Sequence, residues 1–331
     1  GTGVSVKAGG LNVTAGITTV QALQATSGTF SADSTFNSVS IGKGTNSVAQ
    51  NTAVGQLALD AAVTGNYNTA FGYQTLTANT SGYDNTAVGT DALLGNTTGA
   101  ENVAVGKQAL DANTTGGKNV AVGKYSLSAN TTGGSNTAVG DQALFANTTA
   151  SNNTAVGMYA MKANTTGTQN TAIGAYALTT ATTASDNTAL GYQALKVNAG
   201  ADNTAVGHNS LVANTTGSNN IAVGANAADA NTTGGYNIAV GQNSLGANTT
   251  GNYNIAIGQD ALANNNASNN TAVGRSALVA NTTGANNTAI GYLALDANTT
   301  AAGNTAVGYD CLSAATTNTG LTAVGYRALA V

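Results

Sequence analysis

Apolar and polar positions along this chain recur with a period of 17 residues. The recurrence is keyed to a glycine at positions 55, 72, 89, 106, 123, 140, 157, 174, 191, 207, 224, 241, 258, 274, 291, 308 and 325, with 16-residue intervals only at 191–207 and 258–274. With that glycine as position 0, position −2 is Ala in all 17 repeats and −1 is always Val, Ile, Leu or Phe. Position +4 is Leu except at Met161 and Ala228, and +3 is small. Asn occupies −4 in 16 of 17 repeats and +7 in 13 of the 16 repeats long enough to have it. A fixed short period of this kind predicts a stack of like units and not a globular enzyme.

Each repeat predicts its own elements. Asn-Thr-Ala-Val-Gly alternates and carries β-branched residues, so it reads as a short strand with −1 and −3 on one face and −2 and −4 on the other. The Ala-Leu segment reads either as a second short strand or as a helical turn. Asn-Thr-Thr-Gly reads as a turn, since Asn and Gly tolerate positive φ. Seventeen residues are too few for a strand plus a crossover helix. The expected fold is therefore all-β, a parallel β-roll or β-solenoid of about 17–18 short coils. At about 4.8 Å per coil the stack would be roughly 80 Å long. The expected coil core is Val54, Leu59, Val88, Leu93, Val122, Leu127 and their equivalents, with Asn at −4 or +7 forming ladders between coils.

Two large apolar side chains per coil contribute roughly 1.5–3 kcal/mol each. Ordering the backbone costs roughly 1–2 kcal/mol per residue. That imbalance predicts further burial between chains. Ala at −2, opposite Val at −1, is the expected contact, because a small side chain lets two backbones approach. Ala53, Ala87, Ala121, Ala155, Ala172 and Ala222 are thus candidate contacts of a parallel homo-oligomer.

Composition narrows the class. Charged residues are 7% of the chain, net charge is −4, and the nine Lys and Arg are scattered, which argues against a nucleic-acid or anionic-membrane surface. The strict phase of the apolar positions argues against disorder. There is no proline, as suits a continuous hydrogen-bond ladder, and the single cysteine, Cys311, excludes an intramolecular disulfide. No apolar run approaches the 18 residues of a membrane span. The chain opens on Gly1 without an initiator Met, which reads as a processed product or an ordered fragment. Residues 1–36 lie outside the repeat and read as a β-rich connector or shaft; residues 37–331 carry the roll.

The start of the repeat region reads Asn37-Ser-Val-Ser-Ile-Gly42 and then Asn46-Ser-Val-Ala-Gln-Asn-Thr-Ala-Val-Gly55, as a first coil. It resembles the Asn-Ser-Val-Ala-Ile-Gly motif of YadA-like trimeric autotransporter adhesin heads, and the Gly42–Gly55 spacing approaches that family's shorter repeat. The longer NTAVGxxALxANTTG variant in the other coils resembles repeat regions of bacteriophage tail fibres. The likeness spans residues 37–331. It implies a left-handed roll wound as a homotrimer, the number three coming from the resemblance alone. It also implies an extracellular place, on a virion tail fibre or a bacterial cell surface, with other fibre or virion components and a host-surface glycan or protein as partners.

Candidate chemistry is sparse. Glu101 is the only Glu, and the twelve Asp fall at variable positions, such as +5 (Asp60, Asp111, Asp296) and +2 (Asp91, Asp141, Asp260, Asp310). No repeat suggests the opposed carboxylate pair that a glycosidase needs. His208 is the only histidine and has no ligand partners in the sequence pattern, so no metal site is expected. Cys311 fills a slot that is Ala in most repeats and reads as a buried small residue. No enzyme activity and no cofactor are expected. The twelve Tyr flank the strand, and Tyr73, Tyr192, Tyr292 and Tyr309 at +1 are candidate glycan contacts, with packing at the strand edge as the plainer reading. Ten Asn-Thr-Thr triplets match the N-glycosylation acceptor pattern. The function expected is a structural and adhesive fibre, most simply a phage tail-fibre segment. The alternatives are a bacterial adhesin head and an ice-binding or filament-forming β-solenoid.

Overall fold

A computed structural model describes residues 34–36 and 39–330. They belong to one compact unit, Asp33–Val331. The connector assigned to residues 1–36 lies outside the described residues, except for Ser34–Phe36. The described residues form one 19-stranded sheet. Strands β1 (Ser34–Phe36) and β2 (Val39–Gly42) precede seventeen three-residue strands, β3 (Thr52–Val54) to β19 (Thr322–Val324). From β3 onward each strand pairs in parallel with the next, rank on rank: Thr86 with Val103, Ala87 with Ala104, Val88 with Val105. The protein is a β-solenoid, as the period requires.

The first 13-residue interval does not form a coil. β2 runs antiparallel to β3, with Ile41 opposite Val54 and Gly42 opposite Ala53, and β1 runs antiparallel to β2. Thirteen residues are too short to circle a 17-residue coil, so the chain reverses. The hairpin covers the edge of β3, which would otherwise offer unpaired backbone groups. The 16-residue intervals are absorbed differently. Thr188 still pairs with Thr204 and Ile255 with Thr271, so the missing residue comes out of the turn and the strand register holds.

The two strand faces lie opposite to expectation. Ala at −2 points into the coil: Ala53 is 1% exposed, and Ala87, Ala121, Ala155, Ala172 and Ala222 are fully buried within their own chain. They have no surface to offer a partner, so they are not interchain contacts. Val54, Val88 and Val122 point outward and are half-buried, so they are not coil core. Leu59, Leu93 and Leu127 are fully buried as expected. The reason is the narrowness of the coil. Its interior holds one large side chain per turn, Leu at +4. The facing strand then has room only for a methyl group, and close packing selects Ala.

The remaining geometry is set by backbone hydrogen bonds between coils. The Ala-Leu segment is neither a strand nor a helical turn. Residues at +2 and +4 have positive φ, for example Asp91 at 59° and Leu93 at 52°. Asp91 N–H donates to Tyr73 O of the coil before (2.9 Å), and Leu93 N–H to Ala109 O of the coil after (3.0 Å). The segment thus continues the ladder without extended backbone. In the Asn-Thr-Thr-Gly turn, Thr97 N–H and Oγ1–H both donate to Thr114 O at 2.9 Å. Positive φ falls at −5 (Asp84, Glu101, Lys118) and not at the turn Asn. Position 0 must be glycine for two reasons. At Gly123 φ is 134°, and an added Cβ would lie 2.5 Å from Gly140 O of the next coil.

Candidate functional site: the outward surfaces of the stack

The interior is closed by asparagine. At −4, Asn119 Nδ2 donates across the coil to Gly133 O (2.9 Å), while its Oδ1 accepts from Asn136 N–H of the next coil (3.0 Å). At +7, Asn113 Nδ2 donates to Gly116 O (2.9 Å) and to Asn96 Oδ1 (2.8 Å). Both ladders are buried. The Asn of every Asn-Thr-Thr triplet belongs to the +7 ladder, at 0–1% exposure with its amide nitrogen engaged, so these triplets offer no acceptor for N-glycosylation in the folded coil.

What remains for recognition is outside. Two longitudinal surfaces stand out. The first is the outward face of the parallel strands. Its −3 column is Thr, Val or Ile and its −1 column Val, Phe, Ile or Leu, so no charge interrupts it over seventeen ranks. Phe71, Leu190, Ile221 and Ile290 are each more than 40% exposed on it. At its beginning, Val39, Val54, Phe71 and Tyr73 line a shallow apolar hollow of about 470 Å³. Sequence reading missed this surface because alternation defines two faces without saying which is inside.

The second surface is the edge just after the strand, at +1 and +2, where the residue varies from repeat to repeat. Tyr73, Tyr192, Tyr292 and Tyr309 all lie exposed there. The stack brings some of them together. Tyr159, Tyr176, Tyr192 and His208 follow one another at centroid distances of 5.4, 6.0 and 5.6 Å. Tyr292, Tyr309 and Tyr326 form a second row at 5.3 and 5.2 Å. Tyr73 belongs to neither row.

Titratable groups are dispersed. Among the described residues, no three or more His, Cys, Asp or Glu gather closely enough to hold a metal ion. Cys311 is buried, and its thiol lies 3.4 Å from Ala323 O. Half-burial raises the carboxyl pKa of Asp111, Asp229 and Asp296, all at +5, above the ordinary 3.8. The Ser128 hydroxyl opposes this at Asp111, donating at 2.6 Å, and Asp91 adds to it. At Asp296 the nearby Asp310 adds to the rise. Among the described residues, no helix is long and apolar enough to cross a membrane.

Fold and surface together define a β-solenoid repeat protein with an uncharged, partly apolar strand face and an aromatic edge. No family model, curated protein or solved structure matches the chain.

Proposed function

We propose that the chain is a segment of a structural and adhesive fibre, most simply a bacteriophage tail fibre that attaches to a host, and that copies of it pack in parallel as a homotrimer. The observation that carries this reading is the uncharged strand face. A column of half-exposed Val, Ile, Leu and Phe along an entire stack is costly to leave in water. Parallel copies present the same ranks at the same spacing, so one copy matches another along its length. This face takes the role that the sequence pattern gave to Ala at −2. The number three, and the place on a virion or cell surface, rest on the resemblance to trimeric adhesin heads and tail-fibre repeats.

Sedimentation of the purified chain tests the association. A trimer is expected, and Val139→Asp combined with Val156→Asp converts it to folded monomer, since both side chains point outward. A wild-type chain that sediments as a stable monomer overturns the proposal. Electron microscopy of the particle that carries the rod separates a tail fibre from a bacterial adhesin. A second reading has its own observation: the Thr residues at −3 form regular outward ranks, as an ice-binding face requires. Thermal hysteresis would favour it, and its absence would remove it.

A further inference from the structure

We infer that the edge row Tyr292–Tyr309–Tyr326 is a binding platform for an extended, neutral oligosaccharide lying parallel to the stack. The inference rests on the reading of the chain as an attachment fibre and names the chemistry it would attach to. The three rings sit on successive coils with centroids 5.3 and 5.2 Å apart and planes within 18° and 11° of parallel. Rings in direct face contact would be separated by roughly 3.5–4 Å. Near-parallel rings more than 5 Å apart therefore follow one another like treads of a stair, out of tight face contact. Tyr292 and Tyr309 are 38% and 47% exposed. The tread spacing is close to the length of one hexopyranose in an extended chain, so successive sugar rings would meet successive tyrosines.

The polar groups on this edge suit hydroxyl ligands. Arg275, in the coil before Tyr292, places its guanidinium 6.0 Å from that ring's centroid. Asp310 and Arg327 lie on successive coils at +2 and pair at 3.0 Å, so their charges largely cancel. A guanidinium, a paired carboxylate and phenol hydroxyls thus flank the exposed rings. The chain as a whole is acidic, which disfavours a polyanion and favours a neutral glycan.

The other aromatic groups lack this arrangement. In the Tyr159–Tyr176–Tyr192 row the planes meet at 57° and 77°, so ring edges turn into neighbouring faces. The parallel Tyr236–Tyr253 pair has two treads only.

Calorimetric titration of the assembled protein tests the inference. The probes are glucose, mannose, galactose and N-acetylglucosamine, each as monomer, dimer, trimer and hexamer. At least one series is expected to bind, weakly or not at all as the monomer and most steeply gaining between dimer and trimer. Tyr309→Ala is expected to weaken that binding about tenfold. The triple variant Tyr292→Ala, Tyr309→Ala, Tyr326→Ala is expected to abolish it. Folding of these variants is supported by the repeat itself, because Ala175 and Ala225 occupy the same +1 position in other coils. Sedimentation of the variants shows whether the fibre assembly persists, so loss of glycan binding is distinguished from loss of the fibre. No binding by any probe, affinity independent of length, or undiminished binding by the triple variant overturns the inference.

Discussion

Two asparagine ladders run through the same interior, and they differ in how far the sequence lets them lapse. The −4 ladder is unbroken from Asn51 to Asn304. The +7 ladder starts only at Asn79 and is interrupted at Ala181 and Ala315. The difference follows from what each side chain holds. Asn119 Oδ1 accepts a main-chain N–H, that of Asn136. Asn113 Oδ1 accepts only a side-chain amide, that of Asn130 (2.9 Å). Losing a −4 Asn would bury an unpaired backbone donor, which native structures rarely tolerate. Losing a +7 Asn orphans a side-chain oxygen instead. Asn164 Oδ1 and Asn298 Oδ1, one coil before Ala181 and Ala315, indeed have no partner. Asn248 Oδ1 is stranded too, because in the 16-residue coil Asn265 turns its amide to Ala267 O.

The largest effect should come from breaking the unbroken ladder. Asn119→Ala strands Asn136 N–H and opens a small void, and should lower unfolding stability by about 2–4 kcal/mol. The matching change in the other ladder, Asn113→Ala, removes the donor to Asn96 Oδ1 but leaves Gly116 O served by Asn102 Nδ2 (2.9 Å). It should cost about 1–2 kcal/mol. Denaturant midpoints of the two variants measure the contrast; equal losses would refute the account of why one ladder lapses. Repair is the converse. Ala181→Asn gives Asn164 Oδ1 its missing donor in a slot where thirteen other coils hold Asn, and should add about 1 kcal/mol. A loss of stability would mean that the shortened coil after it cannot accept the rung.

These ladders mark the limit of what the sequence made legible. The 17-residue period was enough for a parallel stack, because identical units bury their edges only against one another. Asn columns at −4 and +7 were readable for the same reason. The strand faces were not, since Ala and Val alternate equally well either way. Coil width decides between them, and width depends on the Ala-Leu segment, whose positive φ at Leu93 and its equivalents no propensity announces. The antiparallel pairing of Val39–Gly42 was not legible either, because its apolar-Gly ending matches that of the parallel strands that follow. At the edge, the sequence placed Tyr292 and Tyr309 at one repeat position; that their rings lie nearly parallel while Tyr176 and Tyr192 meet at 77° needed coordinates.

The smallest effect isolates the ladders from charge. Asn does not titrate, so the interior contributes a stability that is flat with pH. The three +5 carboxylates do not. Burial holds the pKa of Asp111, Asp229 and Asp296 above 3.8 in the folded chain. Between that ordinary value and the raised ones, the folded chain binds more protons than the unfolded chain. Their contribution to stability therefore falls as pH rises through this window, and stays lower above it. Replacing all three with Asn removes the titration while keeping an oxygen that accepts from Ser128. Melting curves from pH 4 to 7 should show the triple variant more stable than wild type near neutrality, with the gap closing toward pH 4. A gap that widens on acidification would mean these carboxylates are stabilised as anions, by partners along the +5 edge that outweigh their desolvation.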